Sequence, residues 1–518
     1  MTSTHTERDP LLSPTGRRSL DFTQPQPSEL AGEEFSTSQP HRRRKTPLKK
    51  LQLFLVMSVQ FSEPVTGTVI YPFINQLVRE TGVTGPDARK TGYYAGVIES
   101  LFFLTECFTV YTWGRAADSR HIGRRPVLLI GTAFSACAIF AFGLGNIFGT
   151  GEWRGVNKWF AMLALTRSVQ GVCNGNIGVT KSVMAEITDA SNMGDAFAFI
   201  PVVWATGMTV GPIIGGTLAH PATTFPFSPF GTIPLFEKFP YLLPCAVAAL
   251  VPALSFLAGW WWLEETLPAI VNKEKIQVDA EARAVHADGR PNGEVDTSTP
   301  SPSFLALLSQ KQVLIPIINH SFLALMEQCF TVLIPLVYST SIEHGGLGFS
   351  AFRIGTIMGA VGFINGLCQY LLFSRCLARL GPKNLFTLCY STIFVALLCF
   401  PIMTASARSA GRVDGVTWAV LVLQLCCNVP IYMGYGCSFL YTVDSAPTPA
   451  LLSSTNGLAQ LTSTVIRSIG PTLASSLFSV TIQRGLMGGT MVYWVLCAVG
   501  SVGLWTARLL PVGLKGAP

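Results

Sequence analysis

Among the charged side chains within the apolar runs of this 518-residue sequence, five could do chemistry: Glu63, Glu99, Glu106, Arg167 and Glu327. A charged side chain within lipid is costly unless it is paired or hydrated, so such residues usually face a cavity or a pathway. A carboxylate beside a low-dielectric cavity can take up and release a proton, and an arginine can hold an opposite charge. Proton transfer and solute binding are therefore the chemistry that these residues could perform.

The spacing of the acids ranks them. Glu99 and Glu106 are seven residues apart, which is close to two helical turns, so both face the same way. We expect Glu63 with Arg167 to form the proton-coupling or substrate site, with Glu99 and Glu106 next and Glu327 after them. A fixed ion pair or a hydrogen bond between helices is the alternative role for each. Secondary candidates are Arg467 and His320, and aromatic candidates for the pocket are Trp204, Phe363, Tyr432 and Tyr435.

Helices of membrane-spanning length must position these residues. The chain is 49% hydrophobic and only 13% charged, against about 25% charged in a soluble domain. A bilayer core of roughly 30 Å needs about 20 mostly apolar residues per helix. The sequence predicts an all-α membrane protein of about twelve spans: 51–77, 92–113, 125–148, 158–184, 194–219, 239–263, 312–338, 352–374, 384–404, 416–440, 453–479 and 489–511.

The distribution of Lys and Arg predicts the orientation, because short cytoplasmic loops collect positive charge. Basic residues precede the first span at 41–50, follow the second at 115–125 and follow the eighth at 375–383. Both termini are therefore expected in the cytoplasm. The formal net charge of +7 reflects this bias, so no nucleic-acid partner is predicted.

The 13 cysteines are scattered, mostly within spans, and show no spacing typical of a metal site or a disulfide framework. We expect them to be small apolar residues at helix contacts, and we predict no metal and no cofactor. The sequence also shows no pairing of a nucleophile with a base that would indicate an enzyme.

Polar segments divide the chain into five parts: a disordered cytoplasmic tail (1–50), a six-helix bundle (51–265), a cytoplasmic central loop (266–303), a second six-helix bundle (304–511) and a short tail (512–518). The two bundles show an internal echo, because Gly211-Pro212 in the fifth span recurs as Gly470-Pro471 in the eleventh. In the first tail, Glu7 to Leu12 fits an acidic dileucine pattern that sorts proteins to lysosomes or vacuoles.

The loop after the second span reads GRAADSRHIGRRP from Gly114 to Pro126. It resembles the G-x-x-x-D-(R)-x-G-R-R loop of the major facilitator superfamily, although two extra residues separate Asp118 from Gly123. The resemblance implies a cytoplasmic gate in which an acid flanked by cations holds one conformer. The gate residues would be Gly114, Asp118, Gly123, Arg124 and Arg125.

Two further patterns carry this resemblance. Arg167-Ser168-Val169-Gln170-Gly171 in the fourth span is similar to the R-x-x-Q-G helix of the family. The fifth span resembles the antiporter signature of the drug:proton antiporter groups, with a glycine face that lets a neighbouring backbone approach and a proline that bends the helix. Its residues are Gly207, Gly211, Pro212, Gly215 and Gly216. The subgroup it resembles contains tetracycline-resistance and zinc-induced-facilitator-like transporters of twelve spans.

This resemblance implies a proton-coupled antiporter that exports or sequesters a small organic solute, drug or metabolite by alternating access. The proton gradient would be the driving force, and the partners would be the lipid bilayer, protons and the solute. We expect a monomer in the plasma membrane or the vacuolar membrane. Two alternatives stay open: a symporter or facilitator for a nutrient such as a sugar, and a receptor or sensor that keeps the fold and transports nothing.

Overall fold

The computed structural model describes residues 46–149, 151–153, 156–189, 192, 196, 199–268, 270–271, 309–447 and 452–513. The predicted dileucine address at residues 7–12 lies outside them, as do most of the first tail, the central loop and the end of the second tail. Strand structure in the described ranges is confined to one short antiparallel pair, β1 (Glu152–Trp153) and β2 (Val156–Asn157).

The described helices before the central loop are α1 (Lys50–Thr68), α2 (Ile74–Glu80), α3 (Thr91–Asp118), α4 (Arg124–Gly143), α5 (Lys158–Asn174), α6 (Ile177–Glu186), α7 (Phe199–Leu218) and α8 (Leu242–Trp262). Shorter turns of helix join them at Ala88–Lys90, Gly145–Phe148, Pro221–Thr224, Pro229–Thr232 and Pro234–Lys238. We call α1 to α8 the first helix set.

The second helix set comprises α9 (Lys311–Ser339), α10 (Ala351–Ala410), α11 (Gly415–Asp444), α12 (Leu452–Arg484) and α13 (Met491–Ala507). Turns of 3₁₀-helix lie at Ile342–His344 and Leu486–Gly489. Helix α10 contains 60 residues and is broken only at Gly381, whose φ of 73° is left-handed and suits glycine. Pro382 follows at once, so the break marks the turn between the eighth and ninth predicted spans.

Eight of the described helices are long and apolar enough to cross a membrane, and α10 counts as one of them although it covers two predicted spans. The first span is divided between α1 and α2, the fourth between α5 and α6, and α13 covers the twelfth. Gly175 and Asn176, which are poor helix formers, separate α5 from α6. The predicted all-α fold of about twelve spans is therefore confirmed.

Two helix pairs make the largest contacts between the sets: α3 packs against α12, and α7 packs against α10. Thr472 of α12 donates hydrogen bonds from its Oγ1 to the Gly96 carbonyl oxygen at 3.2 Å and to Ser100 Oγ at 2.8 Å. A Cβ atom added at Gly216 of α7 would lie 2.6 Å from Gly355 Cα of α10. Small residues thus allow close backbone approach at this end of the molecule. We call the other end, where Asp118 and Arg124 lie, the basic end.

Candidate functional site

Glu63 of α1 lies in the middle of the helix bundle and is half-buried. Its Oε1 accepts a hydrogen bond from Asn174 Nδ2 at 3.1 Å, and its buried Oε2 has no hydrogen-bond partner among the described residues. Glu106 of α3 is 2% exposed and also interacts with Glu63 and with the Asn174 amide. The Asn174 amide therefore lies beside carboxyl groups from two different helices.

Two cations approach these acids from opposite helix sets. Lys181 of α6 donates to Gln460 Oε1 at 3.2 Å, and Arg467 of α12 donates to Tyr435 Oη at 3.3 Å. Both cations interact electrostatically with Glu63 and Glu106, yet neither forms an ion pair with an acid of the described residues. Glu63, Lys181 and Arg467 each keep part of their surface exposed. We call these three residues, together with Glu106, the mixed-charge cluster.

Arg167 of α5 lies in a separate cluster and is 1% exposed. It donates from Nη1 to Gln170 Oε1 at 2.5 Å and from Nη2 to the Gly67 carbonyl oxygen at 3.2 Å, and its guanidinium carbon lies 4.4 Å from the centre of the Phe102 ring. Glu99 is the acid that interacts with it, while no ion pair joins Arg167 to Glu63 in the described chain. The residues paired in the sequence prediction thus lie in neighbouring clusters of α1 and α5.

Glu327 of α9 is the acid of the second helix set. Its carboxylate accepts hydrogen bonds from Tyr432 Oη at 3.2 Å, Tyr435 Oη at 3.2 Å and Thr331 Oγ1 at 2.9 Å. Arg467 interacts with both Glu327 and Glu63. The guanidinium of Arg467 therefore connects, through charge, the acids of the two helix sets.

The predicted secondary residues are distributed unevenly. His320 Nδ1 lies 3.0 Å from Ser438 Oγ, and its ring meets the Tyr435 ring edge to face. Tyr432 and Tyr435 contact Glu327, whereas Phe363 is 66% exposed and Trp204 is half-buried on α7. The tyrosines are thus the predicted aromatic residues that the structure brings to Glu327.

Asn174 and Lys181 are functional candidates that the sequence prediction did not include. They follow Arg167 at intervals of seven residues, the spacing that puts side chains on one helix face. That repeat is the pattern that could have revealed them.

The basic end carries a second charged cluster, built from the predicted gate loop. The Arg124 guanidinium binds Asp118 at the end of α3 and Glu186 Oε1 at the end of α6, the latter at 3.1 Å. The Glu186 carboxylate also accepts a hydrogen bond from Thr266 Oγ1 at 2.6 Å. Despite the two extra residues in the loop, Asp118 thus has a cation partner, and all members of this cluster belong to the first helix set or the segment after it.

Glu265 holds the start of α4 at the same end. Its carboxylate accepts hydrogen bonds from the backbone N–H groups of Arg124 at 2.9 Å and Arg125 at 3.1 Å, where an anion is favoured by the helix dipole. Gly123 precedes them with φ of 85°, and a Cβ atom there would lie 2.4 Å from Glu265 Oε2. Gly123 therefore serves this close approach, while Gly114 has open space around it.

The glycine pattern of α7 is divided between two neighbours. Gly207, Gly211 and Gly215 pack on α1, where a Cβ at Gly215 would lie 1.8 Å from the Val69 carbonyl oxygen. Gly216 and the Pro212 carbonyl oxygen face Gly355 of α10 instead. One face thus joins helices within the first set, and the other contributes to the contact between the sets.

Comparisons with known proteins agree with this architecture. The model of the Major Facilitator Superfamily matches residues 56–471. A multidrug transporter of the superfamily from Aspergillus fumigatus is 26% identical over 518 residues, covering 87% of this chain and 82% of the relative. The zinc induced facilitator-like 1 protein of Arabidopsis thaliana is 26% identical over 458 residues, covering 88% and 90%.

Among solved structures, a D-xylose-proton symporter has a TM-score of 0.62 at 13% sequence identity and covers 90% of this chain and 99% of its own. This likeness concerns the fold. The family match confirms the resemblance drawn from the loop and helix patterns, and it identifies a multi-pass membrane transporter rather than an enzyme. The chain belongs to the major facilitator superfamily.

Proposed function

We propose that this transporter exchanges protons for a small organic solute, and so exports it or sequesters it in the vacuole by alternating access. The observation that carries the proposal is the mixed-charge cluster, where Glu63 and Glu106 lie beside the Asn174 amide and interact with Lys181 and Arg467. The relatives support it, because one of them is a multidrug transporter.

The coupling follows from competition for the acids. A solute group that binds Glu63 or Glu106 does so best when the carboxyl group is ionised, and a proton removes that charge. Proton binding and solute binding therefore exclude each other, so protons and solute cross the membrane in opposite directions. The six-helix bundles at 51–265 and 304–511 would rock about the mixed-charge cluster, so that it is open to one side of the membrane at a time.

Glu63→Gln tests the proposal in sealed vesicles with an imposed pH gradient and a panel of solutes. We expect this variant to lose gradient-driven accumulation, because glutamine cannot carry the proton, and to keep much more of its solute-for-solute exchange. Glu343→Gln, at an exposed acid in the 3₁₀ turn after α9, is the matched control and should transport like the wild type. Undiminished gradient-driven uptake by Glu63→Gln would remove Glu63 from the mechanism.

A nutrient symporter is the second candidate, since the D-xylose-proton symporter shares the fold. The two candidates differ in the direction of solute flow relative to the proton gradient, so the same vesicles distinguish them. A receptor or sensor of this fold would give no flux at all. Localisation of tagged protein with and without Leu11 and Leu12 tests the choice between plasma and vacuolar membrane.

A further inference from the structure

The mixed-charge cluster contains groups of both signs that form no ion pairs within the described chain. Glu63 Oε2 and Arg467 Nε are buried without a hydrogen-bond partner within the described chain. Lys181 makes its one described hydrogen bond to a neutral amide, that of Gln460. Acids and cations thus interact within one cluster while remaining too far apart to form ion pairs with each other.

The geometry points to a zwitterionic solute, whose ammonium group binds Glu63 and Glu106 and whose carboxylate or phosphate group binds Lys181 and Arg467. The inference rests on the proposed function and names its substrate class. A molecule with both charges would satisfy the acids of α1 and α3 and the cations of α6 and α12 together. Charge-assisted hydrogen bonds of this kind are the strong ones.

Solutes with a single charge fit this cluster less well. An amine alone would neutralise an acid and leave Lys181 without an anionic partner in surroundings of low dielectric, whereas Arg467 would keep its interaction with Glu327. An anion alone would bind best when Glu63 and Glu106 are protonated, since the acids then no longer compete for the cations. Such a solute would move with protons, which is contrary to the proposed exchange.

Aromatic rings beside Glu327 and Arg467 indicate what the rest of the solute can be. Tyr432 and Tyr435 lie side by side with ring centres 6.4 Å apart, and the His320 ring packs against Tyr435. Aromatic faces of this kind favour an apolar or aromatic body between the two charged groups.

Binding to the full chain in lipid nanodiscs tests the inference with matched trios of probes. The trios are phenylalanine, phenethylamine and 3-phenylpropionate; tryptophan, tryptamine and indole-3-propionate; and leucine, 3-methylbutylamine and 4-methylpentanoate. We expect the zwitterion of at least one trio to bind more tightly than both of its singly charged relatives. We expect Lys181→Gln to weaken that zwitterion at least about tenfold, the loss of one charge-assisted bond, while amine binding is unchanged.

Two further variants serve as controls. Lys311→Gln changes an exposed lysine at the start of α9 and should leave every probe unaffected. Lys181→Arg keeps the charge and should retain the preference for the zwitterion, even if Lys181→Gln fails to fold. The inference is overturned if no zwitterion is preferred in any trio, or if the preference survives in folded Lys181→Gln.

Uptake of the same probes into vesicles separates this inference from the proposed function. Gradient-driven uptake of amines without any preference for zwitterions would support proton exchange and refute the zwitterionic substrate. Preferred binding of zwitterions without any effect of the pH gradient would support the zwitterionic substrate and refute proton exchange.

Discussion

Arg167 stabilises the contact between α1 and α5 through a planar fork of donors. The guanidinium reaches Gln170 and the Gly67 carbonyl oxygen at the same time and lies over the Phe102 ring. Lysine keeps the charge but has neither the fork nor the flat face. The role of Arg167 therefore depends on its shape as much as on its charge.

We predict that Arg167→Lys reduces transport at least about tenfold, which corresponds to the loss of one hydrogen bond to a charged group. Initial rates in vesicles, normalised to the amount of inserted protein, measure this. Arg412→Lys, at an exposed arginine between α10 and α11, is the control. Wild-type rates in Arg167→Lys would show that charge alone is enough.

At the residue scale, the sequence identified the acids because a carboxylate within an apolar run has few purely structural uses. It did not identify Asn174, since a neutral amide barely changes the hydropathy of a span. Lys181 lies near the end of a predicted span, where hydropathy alone does not distinguish it from a residue at the membrane boundary. The approach of Arg467 to Glu63 joins positions 404 residues apart, so only the folded chain reveals it.

Helix α7 depends on glycine where it crosses α1. A side chain at Gly215 would collide with the Val69 carbonyl oxygen, which as a backbone atom cannot rotate away. We predict that Gly215→Ala destabilises the protein by about 1–3 kcal/mol, measured by thermal unfolding in nanodiscs. Gly178→Ala on α6, where nothing lies within 4 Å of the added Cβ, should be neutral or slightly stabilising. Equal stabilities of the two variants would contradict the packing.

Asp414 caps the start of α11, at the end of the molecule away from the basic end. Hydrogen bonds from the Thr417 hydroxyl and backbone N–H hold the pKa of Asp414 below its usual range. A depressed pKa means that ionised Asp414 stabilises the fold above the usual aspartate range, and that this stability is lost as pH falls through the lowered value.

We therefore expect the wild type to unfold at a higher temperature than Asp414→Asn at neutral pH, and the difference to vanish in acid. Melting temperatures measured across that pH range provide the comparison. A constant difference at every pH would show that the charge of Asp414 contributes nothing.

At the element scale, hydropathy predicts the number of spans well, because a run of apolar residues must cross the bilayer as a helix. It does not predict interruptions. The break at Gly175 and Asn176 lies inside an apolar run, and the turn at Gly381 is shorter than the polar loop expected at 375–383. The glycines of α7 likewise predict close packing but not which neighbour each one meets.

At the scale of the whole molecule, a change of conformer must open and close the contact of α3 with α12. A Cβ atom at Gly96 would lie 1.8 Å from Ser475 Oγ and 2.9 Å from the Pro471 carbonyl oxygen. We predict that Gly96→Leu holds this end apart, abolishes transport and raises hydrogen–deuterium exchange at residues 88–96 and 336–348. Alternating access requires both effects together.

Gly457→Leu is the control for this prediction, because Gly457 is an exposed position of α12 with open space around it. It should transport normally and exchange like the wild type. Full transport by Gly96→Leu would show that this end need not close during the cycle.

The single-residue break in α10 limits how the second helix set can move. Because helix continues up to Gly381 and resumes directly after it, the eighth and ninth spans have no slack between them. A shift of one span along its axis would therefore pull the other with it. Since the eighth span contacts α7 and the ninth packs towards α11, a displacement that starts at Gly355 would reach the α11 side of the second helix set.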